Sequence, residues 1–412
     1  MKMKSILVSV LLCVSFVFLS SCQKGSEGKK DNNADERRLQ ADVLFKLIEK
    51  DYLLEIMSIR DEEALYNIPF YKFWGINEAI KRDSTKNDPT NKVYTLKWSY
   101  RRALNREITP EISKLKDLRY FAMTNDSLNG KIPKTLGDLP DLEYIRLDQN
   151  DLCGEIPKEL GKLAKLKTLS LELNDLEGMI PEELSQLKEL EWLNLGYNRL
   201  EGTFPRFLQN NKKLIFISLR NNRLSGTLPF EVINQIKDLK VLDVSWNKFE
   251  GELPEDMGDY DLYLDSNRFA GPIPKAVVKR KGDLSLKYNM LWSDDPEVIA
   301  FLDAKCKGWQ TTQTIPPKGV RVEKVTDDSV KVSWEPILFQ EKQGYYVIHY
   351  GTEPGNYTEE ARTQSKKDSE LIIEGLTPGK AYYFAVRSFT ALHVYNQNEL
   401  LSEFSKEVRI DL

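Results

Sequence analysis

Histidine and cysteine are scarce in this chain, and their scarcity removes most of the common catalytic and metal-binding sets. The 412 residues include 2 histidines and 4 cysteines. Neither His349 nor His393 belongs to an H-E-x-x-H motif, and the sequence contains no C-x-x-C pair and no nucleophile elbow. His349 lies in an alternating strand pattern, which favours an ordinary strand position over a metal ligand. We therefore expect a non-enzymatic protein with no cofactor and no metal site.

The chain also lacks an excess of positive charge. Lys and Arg number 59 against 63 Asp and Glu, which gives a formal net charge of -4. A surface that binds phosphate backbones needs a basic excess. This balance argues against nucleic acid as a partner.

Long apolar runs are confined to the first residues. Lys2 and Lys4 precede an apolar run over residues 6–18, and Leu19-Ser20-Ser21-Cys22 follows. This pattern is typical of a secretory signal, and the run is too short to span a membrane. Leu-Ser-Ser-Cys resembles a bacterial lipobox, and the resemblance implies a signal peptide over residues 1–21 and a lipid on Cys22. An ordinary export signal with an incidental cysteine is the alternative.

The segment that follows the predicted lipid site is polar, with residues 22–38 containing Gly, Ser, Asn and Lys. Such a composition cannot bury enough apolar area to fold, so we expect a flexible stalk. A lipid anchor with a stalk implies an outer-membrane lipoprotein of the cell envelope, displayed at the surface. Of the other cysteines, Cys13 leaves with the signal peptide. Cys153 and Cys306 are expected to be structural thiols, too far apart for a disulfide.

Between residues 118 and 291 the sequence repeats the pattern L-x-x-L-x-L-x-x-N-x-L-x-G-x-I-P. The spacing of the marker is mostly 24 or 25 residues, but it falls to 20 between Asn247 and Asn267, which predicts a short outer arc there. A period of this length indicates a solenoid. Asp126 holds the marker position in an earlier unit, which makes eight units in all. The markers are Asn150, Asn174, Asn198, Asn222, Asn247, Asn267 and Asn289.

The repeat has a simple physical interpretation. Alternating leucines such as Leu193 and Leu195 face inward from a short strand, and the residues between them face solvent. The asparagine side chain can bond backbone groups that a turning chain leaves unpaired, so the column should form a ladder. The segment closely resembles plant-type leucine-rich repeats. That resemblance implies a solenoid with a short parallel sheet on its concave face and irregular or 3-10 convex arcs.

The ends of a solenoid need caps. Residues 39–117 are expected to form an N-terminal helical cap and first coil, with a helix near residues 35–58 and a weaker one near 78–82. Trp74-Gly75-Ile76 and Val93-Tyr94-Thr95-Leu96 resemble parts of the plant-type cap, without its cysteine pairs. Residues 292–315 are expected to form a C-terminal cap and a linker, because a short apolar helix pattern is followed by a Thr-rich run that ends in Pro316-Pro317.

From residue 316 to the end the pattern changes to short alternating strands, which predicts an all-β sandwich over residues 316–412. Gly375-Leu376-Thr377-Pro378-Gly379-Lys380-Ala381-Tyr382 and Val332-Ser333-Trp334 resemble motifs of fibronectin type III domains. The resemblance implies that Tyr382 is the corner tyrosine and Trp334 a core residue. As a whole the chain resembles a bacterial cell-surface lipoprotein with plant-type leucine-rich repeats and a C-terminal fibronectin type III domain.

Aligning the coils predicts which side chains face outward on the concave sheet, and large ones recur there. Such exposed area marks contact sites, and Trp, Tyr and Arg are common anchors of protein interfaces. A crowded sheet whose side chains cover one another, or a cap that leans across them, is the alternative. The preferred patch is Trp192, Tyr197, Phe216, Arg220 and Trp246. The full predicted ligand-binding set is Tyr120, Tyr144, Arg146, Trp192, Tyr197, Phe216, Arg220, Asp243, Trp246 and Tyr263.

These patterns favour a surface-anchored binding protein that takes a protein or peptide ligand, in adhesion or partner contact. The second hypothesis is a glycan-capturing lipoprotein, in which aromatic rings stack on sugars and Asp148, Glu172 and Asp243 hydrogen-bond to them. The same carboxylates leave a glycosidase-type acid pair open on composition alone, but a solvated polar ladder is the favoured interpretation. The sandwich is expected to serve as a spacer or as a second contact.

Overall fold

The computed structural model describes Val43 and residues 95–99, 107–341 and 343–412. The predicted signal peptide, the lipid site at Cys22, the stalk and the helices near residues 35–58 and 78–82 lie outside these described residues, apart from Val43. Those expectations stay predictions.

A parallel sheet of nine strands lines the concave face of the solenoid. Apolar residues of each strand point into the stack, so that Leu193 and Ile217 are fully buried. Neighbouring strands pair in register, with Phe216 between Trp192 and Val241. The expected concave sheet is confirmed, and it begins one strand before the first counted repeat. Its strands are Thr95–Ser99, Tyr120–Thr124, Tyr144–Arg146, Thr168–Ser170, Trp192–Asn194, Phe216–Ser218, Val241–Asp243, Asp261–Tyr263 and Leu284–Ser285.

The structure adds a second parallel sheet of eight strands that the sequence did not predict. Every strand except the last contains a glycine with positive φ, such as Gly154 at 76°, which lets the chain turn into the outer arc. Its strands are Asn129–Lys131, Asp151–Glu155, Asp175–Gly178, Arg199–Gly202, Arg223–Thr227, Lys248–Gly251, Arg268–Pro272 and Met290–Trp292.

Short 3-10 helices form the outer arcs, as expected, and in most coils they begin just after the repeat's proline. Pro181, for example, directly precedes Glu182–Gln186, where its fixed φ suits the start of a helix. One arc is a short α-helix, Phe230–Ile233. The 3-10 arcs are Pro110–Lys114, Lys134–Asp138, Lys158–Lys162, Glu182–Gln186, Arg206–Asn210 and Lys275–Lys279.

The asparagine ladder forms as predicted. The Asn198 side chain accepts from the Leu176 N–H at 3.0 Å and donates to the carbonyl oxygens of Leu171 at 2.9 Å and Leu195 at 3.1 Å. One side chain therefore satisfies backbone groups of two successive coils, which would otherwise be buried without partners. The same pattern recurs at Asn150, Asn174, Asn222, Asn247, Asn267 and Asn289.

The unit before Asn267 has the short outer arc that its spacing predicts, because residues 252–260 contain only bends and irregular chain, with no helix. Arg280 from the next coil fills the space left by the missing arc. Its guanidinium donates to the carbonyl oxygens of Met257 at 2.7 Å, Tyr260 at 2.7 Å and Gly258. The charge is thus buried against backbone carbonyls.

A helix over Pro296–Lys305 closes the far end, and Trp309 is buried beneath the cap. The segment that follows was predicted to be a linker. That prediction is wrong, because this segment packs on the solenoid. Gln313 acts as a further rung: its Oε1 accepts from the Leu291 N–H at 3.1 Å, and its Nε2 donates to the Leu286 carbonyl at 2.8 Å. A short 3-10 turn, Gln310–Thr312, directly precedes it.

The C-terminal part is a sandwich of two antiparallel sheets, as predicted. Trp334 packs on Tyr346 in its core with ring centroids 5.0 Å apart. The Tyr382 hydroxyl accepts from the Thr377 N–H at 3.0 Å, which confirms the corner tyrosine. One sheet contains Lys318–Thr326, Ser329–Glu335 and Glu370–Ile373. The other contains Gly344–Gly351, Glu359–Arg362, Ala381–Thr390, Leu400–Leu401 and Val408–Asp411.

One loop of the sandwich folds back onto the solenoid. We call residues 391–399 the docking loop. Asn398 donates to the carbonyl oxygens of Asn247 at 2.6 Å and Ser266 at 3.2 Å, and Asn396 donates to that of Tyr288 at 3.2 Å. Both loop asparagines are buried. The sandwich is therefore fixed against the last coils.

Candidate functional site

The predicted aromatic stripe is present on the concave sheet. Strand register aligns Tyr120 with Tyr144, and Trp192 with Phe216. The rings of Tyr120 and Tyr144 lie 5.4 Å apart, whereas Trp192 and Phe216 stack with centroids 3.8 Å apart and planes 6° apart. Trp192 is 42% exposed, and the other three side chains are half-buried. The centre of the face thus presents an open indole surface to solvent.

A second group lies beside this stack, toward the C-terminal ends of the strands. The Arg220 guanidinium lies 5.5 Å from the centre of the Tyr197 ring, a cation–π distance, and 3.7 Å from the Asp243 carboxylate. Trp246 and Tyr197 are half-buried. The preferred patch therefore divides into the Trp192–Phe216 stack and the Tyr197–Arg220–Asp243 group.

Bulky residues occupy a column where the backbone is left-handed. Leu173, Tyr197, Trp246 and Tyr288 have φ values of 56°, 54°, 59° and 58°. This conformation favours Gly or Asn, and it costs on the order of 1–3 kcal/mol for other residues. Asn221 holds the same column at φ 51°. Large side chains are therefore kept at positions where a small polar residue would be less strained.

The carboxylates proposed for sugar binding or catalysis are largely engaged within the sheet. Asp148 is buried, accepts from the Ser170 hydroxyl, and accepts from the Glu172 N–H at 3.2 Å. Glu172 accepts from the Asn194 amide at 3.0 Å, and Asp243 accepts from the N–H of Ser245 at 3.0 Å. The expectation that Asp148 projects freely into solvent is wrong, because it bridges neighbouring coils.

Acidic groups dominate the C-terminal end of the face. The pKa of Tyr263 is raised by partial burial and then by the carboxylates of Asp261, Asp283, Asp243 and Asp265. Burial also raises the pKa of Asp265, although the Ser285 hydroxyl donates to it at 2.6 Å. The concave face is thus aromatic at its centre and acidic at one end.

Of the remaining predicted residues, Arg146 is exposed and lies 3.5 Å from Asp148, which makes a surface ion pair. The structure also places residues at this face that sequence patterns missed, namely the docking loop with Val394 and Tyr395. Tyr395 stacks on Tyr288, with centroids 5.8 Å apart. No periodic signal marks the docking loop, because its position depends on contacts more than a hundred residues away in sequence.

The two cysteines of the described residues agree with the sequence predictions only in part. Cys306 is buried and accepts from the Leu286 N–H at 3.5 Å, as expected for a structural thiol. Cys153 is exposed, which corrects its assignment as structural. Among the described residues, no cluster of three or more His, Cys, Asp or Glu side chains is arranged to hold a metal ion. None of the helices in the described ranges is long and apolar enough to cross a membrane.

Comparison with protein families supports both modules. A family model described as a leucine-rich repeat region matches residues 102–259, and one described as a fibronectin type III domain matches residues 315–398. The chain thus combines a leucine-rich repeat region with a fibronectin type III domain. A tyrosine-protein phosphatase Lar-like of Caenorhabditis elegans is 32% identical over 77 residues, which are 18% of this chain and 3% of that protein.

Solved structures show the same solenoid fold. The LRR ectodomain of the plant membrane receptor kinase GASSHO1/SCHENGEN3 from Arabidopsis thaliana, in complex with CASPARIAN STRIP INTEGRITY FACTOR 2, is 24% identical with a TM-score of 0.51. The match covers 63% of this chain and 34% of that one. The PEPR1-AtPEP1 structure is also 24% identical, with a TM-score of 0.50 and coverage of 66% and 37%. This chain spans only about a third of those two chains, and the likeness shows the fold alone.

Proposed function

We propose that this chain is a non-enzymatic binding protein whose concave face takes a protein or peptide ligand. The observation that carries the proposal is the Trp192–Phe216 stack, in which Trp192 is 42% exposed at the centre of the face. An indole held open to solvent loses the burial that would stabilise it, and a partner restores that burial. Exposed aromatic residues with a neighbouring arginine are typical anchors of interfaces.

The left-handed column supports the same proposal. Tyr197 and Trp246 are held at φ values of 54° and 59°, where Asn or Gly would cost less. Asn221, which lies between them in the column, shows that the fold accepts the cheaper residue. Strain kept at a surface is an indication of function. Here it retains two large rings beside the Trp192–Phe216 stack.

Surface anchoring is the second part of the proposal. The lipobox-like sequence that ends at Cys22, followed by a polar stretch, supports an outer-membrane lipoprotein that displays its solenoid outside the cell. An adhesive or partner-contact role follows from that location. Metabolic labelling with an alkyne fatty acid tests it: wild-type protein should acquire the label and Cys22→Ser should not. Equal labelling of both proteins would contradict lipidation at Cys22.

A glycan ligand remains the second candidate, because a sugar ring can also stack on the exposed Trp192 face. It is the weaker candidate. Asp148 and Glu172, which would hydrogen-bond to the sugar, already accept bonds from the sheet.

Selection from a phage-displayed library of random peptides, with a glycan array in parallel, tests the proposal. Peptides captured by the wild-type protein should bind Trp192→Ala about 30-fold more weakly, since loss of an interface anchor costs about 2 kcal/mol. Met179→Ala is the control, because Met179 is 72% exposed and lies outside the concave sheet. Peptide binding that ignores Trp192→Ala would contradict the proposal. Oligosaccharide binding lost in Trp192→Ala would favour the glycan instead.

A further inference from the structure

The docking loop reverses the usual distribution of polar and apolar groups in a surface loop. Its amide side chains Asn396 and Asn398 are 0% and 2% exposed, because both bond to the solenoid. Its apolar side chains Leu392, Val394 and Tyr395 are 62%, 78% and 48% exposed. The loop is therefore held in place by its polar groups while it presents apolar groups to solvent. Apolar groups clustered in this way mark a contact surface.

The exposed groups of the loop continue the concave face. Tyr395 stacks on Tyr288, which belongs to the same left-handed column as Tyr197 and Trp246. The Ser266 hydroxyl, in that column too, donates to the Tyr395 carbonyl at 2.5 Å. Strand spacing of about 4.8 Å and a rise of about 3.3 Å per residue put the loop about 20–25 Å from Trp192. An extended segment of about seven residues bridges that distance.

Negative charge lies between these two apolar areas. Asp243, Asp261 and Asp265 lie on the two coils between the Trp192–Phe216 stack and the coil of Tyr288, on which Tyr395 stacks. Asp243 lies 3.7 Å from Arg220, whereas Asp261 and Asp265 form no ion pair within the part of the chain that the structure describes. Lys287, in the next coil, partly offsets the field at Asp265. The surface between the two apolar areas therefore favours a cationic side chain.

We infer that the docking loop completes the ligand surface, and that the occupant is an extended polypeptide segment with a cationic centre. One apolar side chain of the segment lies on Trp192 and Phe216, a lysine or arginine lies over Asp261 and Asp265, and a second apolar side chain contacts Val394 and Tyr395. This inference rests on the proposed function. It makes the fibronectin type III domain part of the binding site.

The test of the loop uses peptides, selected as above, whose binding depends on Trp192. Val394→Ser should weaken their binding about tenfold, because a buried valine contact is lost. Ile372→Ser is the matched control: Ile372 is 52% exposed but lies on the other sheet of the sandwich, and affinity should stay within about twofold of wild type. Thermal unfolding of both variants confirms that they fold.

Unchanged affinity in Val394→Ser, with Trp192→Ala still weakened, would overturn the inference and leave the proposed function standing. If binding of no selected peptide depends on Trp192, the proposed function and this inference fail together.

Selected peptides should also carry a conserved Lys or Arg. Asp261→Asn keeps the acceptor for the Asp283 N–H, which lies 2.7 Å from the Asp261 carboxylate, while it removes the charge.

Asp261→Asn should weaken a lysine-containing peptide several-fold and should not affect the same peptide with glutamine in place of the lysine. Equal effects on both peptides would exclude the cationic contact. Raising the salt concentration should weaken only the lysine-containing peptide, because screening acts on the charge pair. Salt-independent binding would also count against a cationic centre.

Discussion

A buried lysine at the junction of the two modules forms no ion pair with any carboxylate among the residues that the structure describes. Lys366 is 1% exposed, donates to the Thr390 hydroxyl at 3.1 Å and lies 4.0 Å from the centre of the Phe339 ring. Burial lowers its pKa to about 8. The Thr390 hydroxyl in turn lies 2.6 Å from that of Thr314, so this amine supports the contact between sandwich and solenoid.

This lysine makes stability depend on pH in a definite direction. The folded pKa is about 8 and the ordinary value is 10.5, so between these values the unfolded chain holds the extra proton. The free energy of unfolding contributed by Lys366 therefore rises with pH across that window. Wild type should gain about 1.5 kcal/mol relative to Lys366→Met between about pH 8 and pH 9.5. Urea unfolding of both proteins measures this, and an unchanged difference would mean that the amine is solvated.

At the residue scale, the sequence predicted which side chains share a column on the concave face better than it predicted how buried each of them is. Trp192 and Phe216 were placed in one column by aligning the coils from the first leucine of each repeat, because a fixed period sets which side of a strand each residue occupies. Asp148 was misjudged, since its bond to Ser170 of the next coil has no signature in a single repeat. Side-chain contacts between coils depend on pairs of residues at positions where the repeat pattern does not fix the residue type.

At the element scale, the outer arcs pack so closely that two positions admit only glycine. A Cβ added to Gly161 would lie 2.4 Å from the Glu183 carbonyl oxygen of the next arc, and one added to Gly137 would lie 2.2 Å from that of Glu159. Ser185 follows Leu184 as Gly161 follows Leu160, so the next arc tolerates a side chain at this place.

Gly161→Ala should therefore destabilise the solenoid by about 1–3 kcal/mol, because backbone must move to accept the methyl group. This value is the net effect, because the steric cost outweighs the gain of about 1 kcal/mol that alanine has over glycine in helix propensity. Ser185→Ala, at the equivalent place one coil later, should stay within about 0.5 kcal/mol of wild type. Denaturant unfolding compares the two. A Gly161→Ala protein as stable as wild type would show that the arcs separate easily.

The elements themselves were predicted unevenly. The concave strands and the short arc before Asn267 followed from spacing, whereas the second sheet did not, because its strands are short and carry no alternating pattern of their own. The residues from Gln310 to Pro317 looked like a linker because of their Thr and Pro content. Gln313 takes the asparagine's role with a longer side chain, and residue identity alone did not reveal that.

At the scale of the whole molecule, the docking loop couples the two modules. Asn398 bonds to Asn247, Ser266 and Arg268 and is nearly fully buried, whereas its neighbour Gln397 is exposed. Asn398→Ala should release the loop, since three bonds of one side chain are lost together. Hydrogen exchange at the backbone N–H groups of residues 396 and 398 should then speed up by tenfold or more. Small-angle scattering should show a larger radius of gyration.

Gln397→Ala is the control for that change and should leave both measurements at their wild-type values. If the docking loop of Asn398→Ala stays protected from hydrogen exchange, the strands of the sandwich, and not the loop, fix the junction. Sequence patterns predicted each module and missed this coupling, because the contacts join residues that belong to two different repeating patterns.

Among the described residues, the docking loop bonds to the coils of Asn247, Ser266 and Tyr288. Coils of a solenoid interact mainly with their nearest neighbours, so a unit can be gained or lost wherever nothing else spans it. Within the part of the chain that the structure describes, the docking loop bonds to none of the coils from Tyr120 to Phe216, while the last ones are tied to a partner domain. Duplication or deletion of repeats would therefore lengthen or shorten the concave face from its N-terminal side, with the junction preserved as a fixed end.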